Sequence, residues 1–202
     1  MNKKRFKTKV YKKGGERVSL FKLQTENGYP FDEVASALQK SIRRGMEEEA
    51  MYWAVELETR FHDYLWKRLQ IISIEDIGIA DIKAVLYVAE MRRLYQELRK
   101  EYEKEPNKKS RSFRMALSNA ILALCRAGKS RIGDEFQIVI YGRRQEGWKP
   151  EIPDYALDMH TGRGRGMKRG AEHFWSEGVK LANECRLKNP YRKEAVKIRT
   201  KK

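Results

Sequence analysis

From residue 29 onward, apolar positions recur every three to four residues, the period of helices that bury one face. Asn27-Gly28-Tyr29-Pro30 reads as a turn, because proline disfavours helix at the residue before it. Asp32 then stands where a side chain can cap a helix whose buried stripe is Val34, Leu38 and Ile42, and Gly45 closes it. A second helix is predicted from about Met46. Glu47, Glu48 and Glu49 favour the positive end of its dipole, and Ala50, Trp53, Ala54 and Leu57 form its inner stripe. A third, about Phe61 to Glu75, presents Leu65, Leu69 and Ile72, with Lys67 and Arg68 on the opposite side.

Asp76-Ile-Gly-Ile-Ala-Asp81 breaks the pattern. Gly78 fits a reversal, and Asp81 is placed to cap a long helix over Ile82 to about Glu103. Past residues 105–110, helices over about 112–127 and 130–144 complete an expected antiparallel bundle, and the fold class predicted is all-α. Gly147-Trp-Lys-Pro150 and Ile152-Pro153 change the texture. Glycines 162, 164, 166 and 170 argue against a helix over 158–170, whereas Ala171 to Arg186 can form one. The expected organisation is an arm (1–28), a helical domain (29–185) with a Gly/Arg-rich irregular segment (146–170), and a tail (186–202).

The chain has 202 residues, 41% of them hydrophobic, enough for one sizeable core. The net charge of +16 divides unevenly: residues 1–17 and 186–202 each hold eight Lys/Arg against one Glu. Basic arms that hold nucleic acid are therefore expected, with Lys3, Lys4, Arg5, Lys12, Lys13, Arg192 and Lys193 as contacts. Neither a membrane span nor a leader is read, so the expected location is cytoplasmic and nucleoid-associated. Cys125 and Cys185 lack CxxC or histidine spacing, and no metal or other cofactor is expected.

Gly128-Lys129-Ser130 imitates the end of a phosphate-binding loop, but Ala123 stands where its first glycine belongs and a helix precedes it where a strand should. ATP hydrolysis is not expected. Glu75, Asp76 and Asp81 could be drawn as the carboxylates of a metal-dependent nuclease; a helix end followed by an N-cap explains them more simply. Between Asp158 and Trp175, Arg163, Arg165, Lys168 and Arg169 offer donors matched to phosphate, and Phe174 and Trp175 could stack bases. The alternative is a solvated loop. His160 and His173 lack a nucleophile and read as structural or phosphate-contacting.

Three blocks taken together resemble the C-terminal region of the MgsA/RarA family of replication-associated AAA+ ATPases, which includes the Werner-helicase-interacting protein. They are Ala37-Leu-Gln-Lys40-Ser41-Ile-Arg43, then Ala50-Met-Tyr52-Trp53, then Arg68-Leu69 leading to Ser73-Ile-Glu75-Asp76-Ile-Gly78-Ile-Ala-Asp81. A weaker fourth, Ala120-Ile-Leu-Ala-Leu-Cys-Arg126-Ala127-Gly128-Lys129-Ser130, is similar to the family's Ala-Arg-Ala-Pro-Lys-Ser segment, with Gly128 replacing proline. The resemblance implies a helical module that drives tetramer formation, like the clamp-loader collar. It makes Tyr52, Trp53 and the 73–81 turn scaffolding of core and hinge. Residues 1–28 leave no room for the ATPase and lid, so a detached collar is expected. Expected partners are DNA, further copies of the chain, and a separately encoded AAA+ ATPase or single-strand-binding protein. The expected role is a nonenzymatic DNA-associated accessory protein of replication or recombination; its competitors are a docking module without DNA affinity and the nuclease.

Overall fold

The computed structural model describes residues 10–13, 16–19, 23–104 and 111–200. Its contacts divide it into two compact units, Met1–Gly142 and Arg143–Lys202. Ahead of Phe31 the first unit holds antiparallel strands β1 (Val10–Lys13) and β2 (Glu16–Ser19), a hairpin the periodicity did not predict. From Phe31 on, every regular element described is helical, as the all-α reading expected.

Helix α1 (Phe31–Arg44) starts one residue before Asp32, which lies in the first turn and does not cap it. The chain enters α1 through a closed loop: Phe31 donates to Leu23 O (3.0 Å) and Thr25 to Tyr29 O (2.9 Å). Gly45 ends the helix at φ 71°, and Met46 donates back to Ser41 O at 3.0 Å; glycine takes that left-handed conformation without a side-chain penalty.

The second and third expected helices are one, α2 (Glu47–Ile72), bent at Phe61 (φ −130°, ψ 34°). Phe61 is buried against Phe31, which also meets Tyr64, and no glycine or proline interrupts the apolar stripe from Ala50 to Ile72, so the helix continues through the bend. Helices α3 (Ile82–Lys104) and α4 (Phe113–Arg126) lie against each other, and α4 also touches α1 and α2. Leu38, Ile42, Leu57, Leu65, Leu69, Ile72, Val88, Leu117 and Ile121 meet in one core around Trp66. Burying each such side chain contributes about 1.5–3 kcal/mol. Tyr95 enters this core because its hydroxyl donates to buried Glu58 (2.7 Å) and accepts from Arg99 (2.8 Å), and burial pushes its pKa up.

Tyr52 is not core: it is 45% exposed and meets Tyr29 (hydroxyls 3.3 Å apart) and half-buried Trp53 edge-on. Hydrogen bonding to Tyr29 pushes its pKa up to about 12. Beyond α4, helix α5 (Ile132–Gln145) buries none of its side chains.

The second unit contains α6 (Gly162–Gly166), α7 (Ala171–His173) running into a π turn (Phe174–Gly178), and α8 (Arg192–Thr200). Two expectations need correction. The helix predicted over 171–186 stops at the π turn, where Val179 and Lys180 donate to Phe174 O and Glu177 O, and Asn183 takes φ 56°. The tail, expected as an arm, is helical over Arg192–Thr200, because Arg192 lies 4.7 Å above the Trp175 ring and Ala195 and Val196 are half-buried.

The two thiols differ in their surroundings. Cys125 is buried, which pushes its pKa up to about 11, while Cys185 is exposed. At pH 8 a thiol reagent should label one equivalent, at Cys185, within minutes. Cys125 should follow only in denaturant; mass spectrometry finding both labelled at equal rates would contradict this packing.

Candidate functional site

The motif blocks converge on one carboxylate. After Ile72 the backbone passes into a π turn (Ser73–Ile77), which carries Asp76 inward until its side chain is 1% exposed while Glu75 stays at the rim. Arg43 of α1 donates Nε to Asp76 Oδ1 (2.7 Å) and Nη2 to Glu75 Oε1 (2.9 Å). Arg131, just before α5, donates one nitrogen to both acids, at 3.0 and 2.9 Å, and the other to Asp134. Gln39 Nε2 donates to Asp76 Oδ2 (2.9 Å), and the Gln39 carbonyl accepts from Arg68 of α2. Ser130 N closes the ring by donating to the Asp76 carbonyl at 2.9 Å.

Both oxygens of Asp76 are thus taken by donors from α1 and from the segment entering α5. A buried carboxylate is stable only when its lone pairs are matched in this way. Gly78 follows at φ 51° and reverses the chain, and Asp81 Oδ1 accepts from Ala84 N (3.0 Å) as the cap of α3. Ser41 and Ser73 are buried, Ser73 donating to Gln70 O (2.8 Å), whereas Lys40 is exposed. Lys129 donates to Cys125 O (2.7 Å) and Ala127 O (3.1 Å), serving the end of α4 as a cap. Ser130 Oγ accepts from Ile132 N (3.2 Å) at the start of α5. Among the described residues no group of three or more acids, histidines or cysteines could hold a metal ion. Gln39 and Arg131 were missed as hub members; Gln39 stands four residues before Arg43, on the same helix face, which is the signal that could have found it.

The second unit holds sixteen Lys/Arg against eight Asp/Glu, so its 60 residues carry +8, half of the whole charge. Asp158 organises its Gly/Arg segment. Its carboxylate accepts from His160 N (2.9 Å), which with the nearby His160 ring lowers its pKa, and its carbonyl accepts from Thr161 N and Oγ1 (3.1 Å each). Thr161 Oγ1 caps α6 by accepting from Gly164 N (3.0 Å). Gly164 is obligatory here, since a Cβ would lie 1.9 Å from Asp158 O.

The expected phosphate contacts separate into two kinds. Arg169 is 17% exposed and clamped, donating to both Asp154 oxygens (2.7 and 2.8 Å) and to Asp154 O and Leu157 O. Arg163, Arg165 and Lys168 are exposed and form no ion pair among the described residues. Arg192 stacks on Trp175, and Lys193 is exposed on α8. Lys12 and Lys13 stand in β1 opposite Arg17 and Glu16, while Lys3, Lys4 and Arg5 lie outside the described residues.

In the first unit two kinds of apolar surface face outward. On α5, Ile132, Phe136 and Val139 form a stripe at helical spacing, with Phe136 66% exposed. Between α2 and α4 a groove of about 530 Å³ is lined by Met51, Tyr52, Val55, Ile121 and Leu122, with Glu47 and Glu48 at its rim.

No family model matches the chain. Over 73 residues, 35% of this chain, it is 37% identical to the replication-associated recombination protein A of Haemophilus influenzae. Part of this chain is similar to a replication-associated recombination protein. The match takes in 16% of replication-associated recombination protein A, so it concerns a portion of that protein. No helix described here is long and apolar enough to cross a membrane.

Replacing Asp76 by Ala would take away the acceptor of Arg43 Nε and Gln39 Nε2 and leave the two arginines to Glu75 and Asp134. Because both arginines are partly exposed, the loss should be about 3 kcal/mol, toward the lower end for a broken buried pair. Asp76→Asn, which keeps an oxygen for the arginines, should lose less. Urea unfolding followed by circular dichroism checks the order; an unchanged midpoint for Asp76→Ala would mean that the hub carries no stability.

Proposed function

We propose that this chain is a nonenzymatic, DNA-associated accessory protein of replication or recombination. In this reading the first unit assembles copies of the chain and the second unit holds nucleic acid. The observation that carries it is the second unit's +8 charge with Arg163, Arg165 and Lys168 exposed and without an ion pair among the described residues, in a chain partly similar to a replication-associated recombination protein. Unpaired cations on a surface gain by releasing the counterions of a phosphate backbone. Arg169 supports the segment from beneath and is assigned no contact.

The nonenzymatic reading is supported by the use already made of the acids: Asp76 is occupied by three side chains and Asp81 caps a helix. Self-assembly is supported by the α5 stripe, whose apolar residues no described element of the first unit covers. That stripe also favours a second reading, docking onto a separately encoded ATPase or replication factor.

Fluorescence anisotropy with a labelled single strand, across a salt series, tests the DNA reading. The full chain should bind with a steep salt dependence, and Arg163→Ala/Arg165→Ala/Lys168→Ala together should flatten the slope by about 2, given roughly 0.7 per phosphate contact on single strands. Absence of binding at low salt would move the docking reading ahead. For assembly, sedimentation should show an oligomer that Phe136→Asp reduces; a monomer at every concentration would remove self-assembly from the proposal.

A further inference from the structure

The second unit encloses a small cavity that the basic-surface reading does not use. Met159, His160, Ala171, Phe174, Trp175 and Arg199 surround about 210 Å³. Its walls are aromatic and mutually braced. His160 meets Phe174 edge-on at 4.9 Å, and Phe174 meets Trp175 at 5.5 Å. Asp158 sets the imidazole, its carboxylate accepting from His160 N (2.9 Å) and lying 3.2 Å from His160 Nδ1. Gly178 leaves room for the Phe174 ring, since a Cβ there would approach Phe174 Cδ2 to 3.0 Å. Phe174 and Trp175 thus stand edge-on to each other at the start of the π turn over 174–178.

Two properties point to the ligand. The cavity is smaller than the roughly 300–1,000 Å³ of pockets that take whole drug-sized ligands, so it suits a single ring system. Its surroundings are cationic: Arg199 lines it, and Arg165 reaches to His160 O at 3.5 Å. A single planar ring system joined to phosphates meets both conditions.

We propose that this pocket takes one unpaired nucleobase of single-stranded DNA, with flanking phosphates on Arg165 and Arg199. The inference rests on the DNA-binding reading and adds to it a contact that depends on a base. Bare cations would hold any polyanion; an aromatic pocket distinguishes strands with accessible bases from a sealed duplex.

The test compares a labelled oligo(dT) with an abasic oligonucleotide of equal length and charge, using the full chain and anisotropy. The abasic strand should bind about tenfold more weakly, within the range that base–aromatic stacking gives. Phe174→Leu should weaken oligo(dT) about fivefold and leave the abasic strand unchanged. Ala171→Leu, which fills the cavity with a good helix former, should act likewise and stands in if Phe174→Leu perturbs folding. Arg199→Ala should weaken both strands. Equal, salt-dependent binding of the two strands by the unaltered chain would overturn the pocket and leave the basic surface standing; no binding of either would overturn both.

Discussion

The first unit depends on one buried carboxylate. Asp76 sits where α1, the end of α2 and the segment entering α5 come together, and each contributes a partner: Arg43 and Gln39 from α1, Arg68 of α2 through Gln39, and Arg131 with the Ser130 amide. Hydrophobic burial alone would let these helices slide, because apolar contacts are non-directional. A charged group with its lone pairs filled from fixed directions does not allow that, and the π turn exists to bring the carboxylate inward. Glu75 at the rim shares both arginines, so the pair of acids balances the pair of cations.

The two units use charge in opposite ways. In the first, arginines point at carboxylates and are consumed by structure: Arg126 with Glu47, Arg99 with Glu58, and Arg43 with Asp76. In the second, cations outnumber acids two to one, and among the described lysines and arginines only Arg169 and Lys180 find carboxylate partners. An excess of that size destabilises a small body by self-repulsion. The second unit meets it with hydrogen-bonded turns around Asp158 and a cation laid on an indole, and it buries little apolar surface.

Aromatic side chains divide in the same way. Trp66, Tyr95 and Phe113 are locked in the core, with the Tyr95 hydroxyl paid for by Glu58. Tyr29, Tyr52 and Trp53 form an edge-on group at the surface of the first unit, beside the groove that Tyr52 helps to line. Sequence spacing placed Trp53 on the inner stripe of α2; the structure leaves it half-buried because Tyr29, from the loop before α1, covers it from outside.

By itself the sequence determined the helical period, the closure at Gly45, the reversal at Gly78, the cap at Asp81 and the partition of charge, since each follows from neighbours within a few residues. The motif blocks also marked Arg43, Arg68, Glu75 and Asp76 as belonging together. Only the tertiary structure decided how: Gln39 and Arg131 joined them across distances of 37 and 55 residues, which no local period records. The hairpin ahead of residue 23 and the helix over Arg192–Thr200 were likewise illegible, because charge dominates both segments and hides a weak apolar pattern. Residues 171–186 show the converse, an apolar spacing that promised a helix and ended at a π turn. Local propensity is a weak preference there, and the packing of Phe174 against His160 and Trp175 outweighs it.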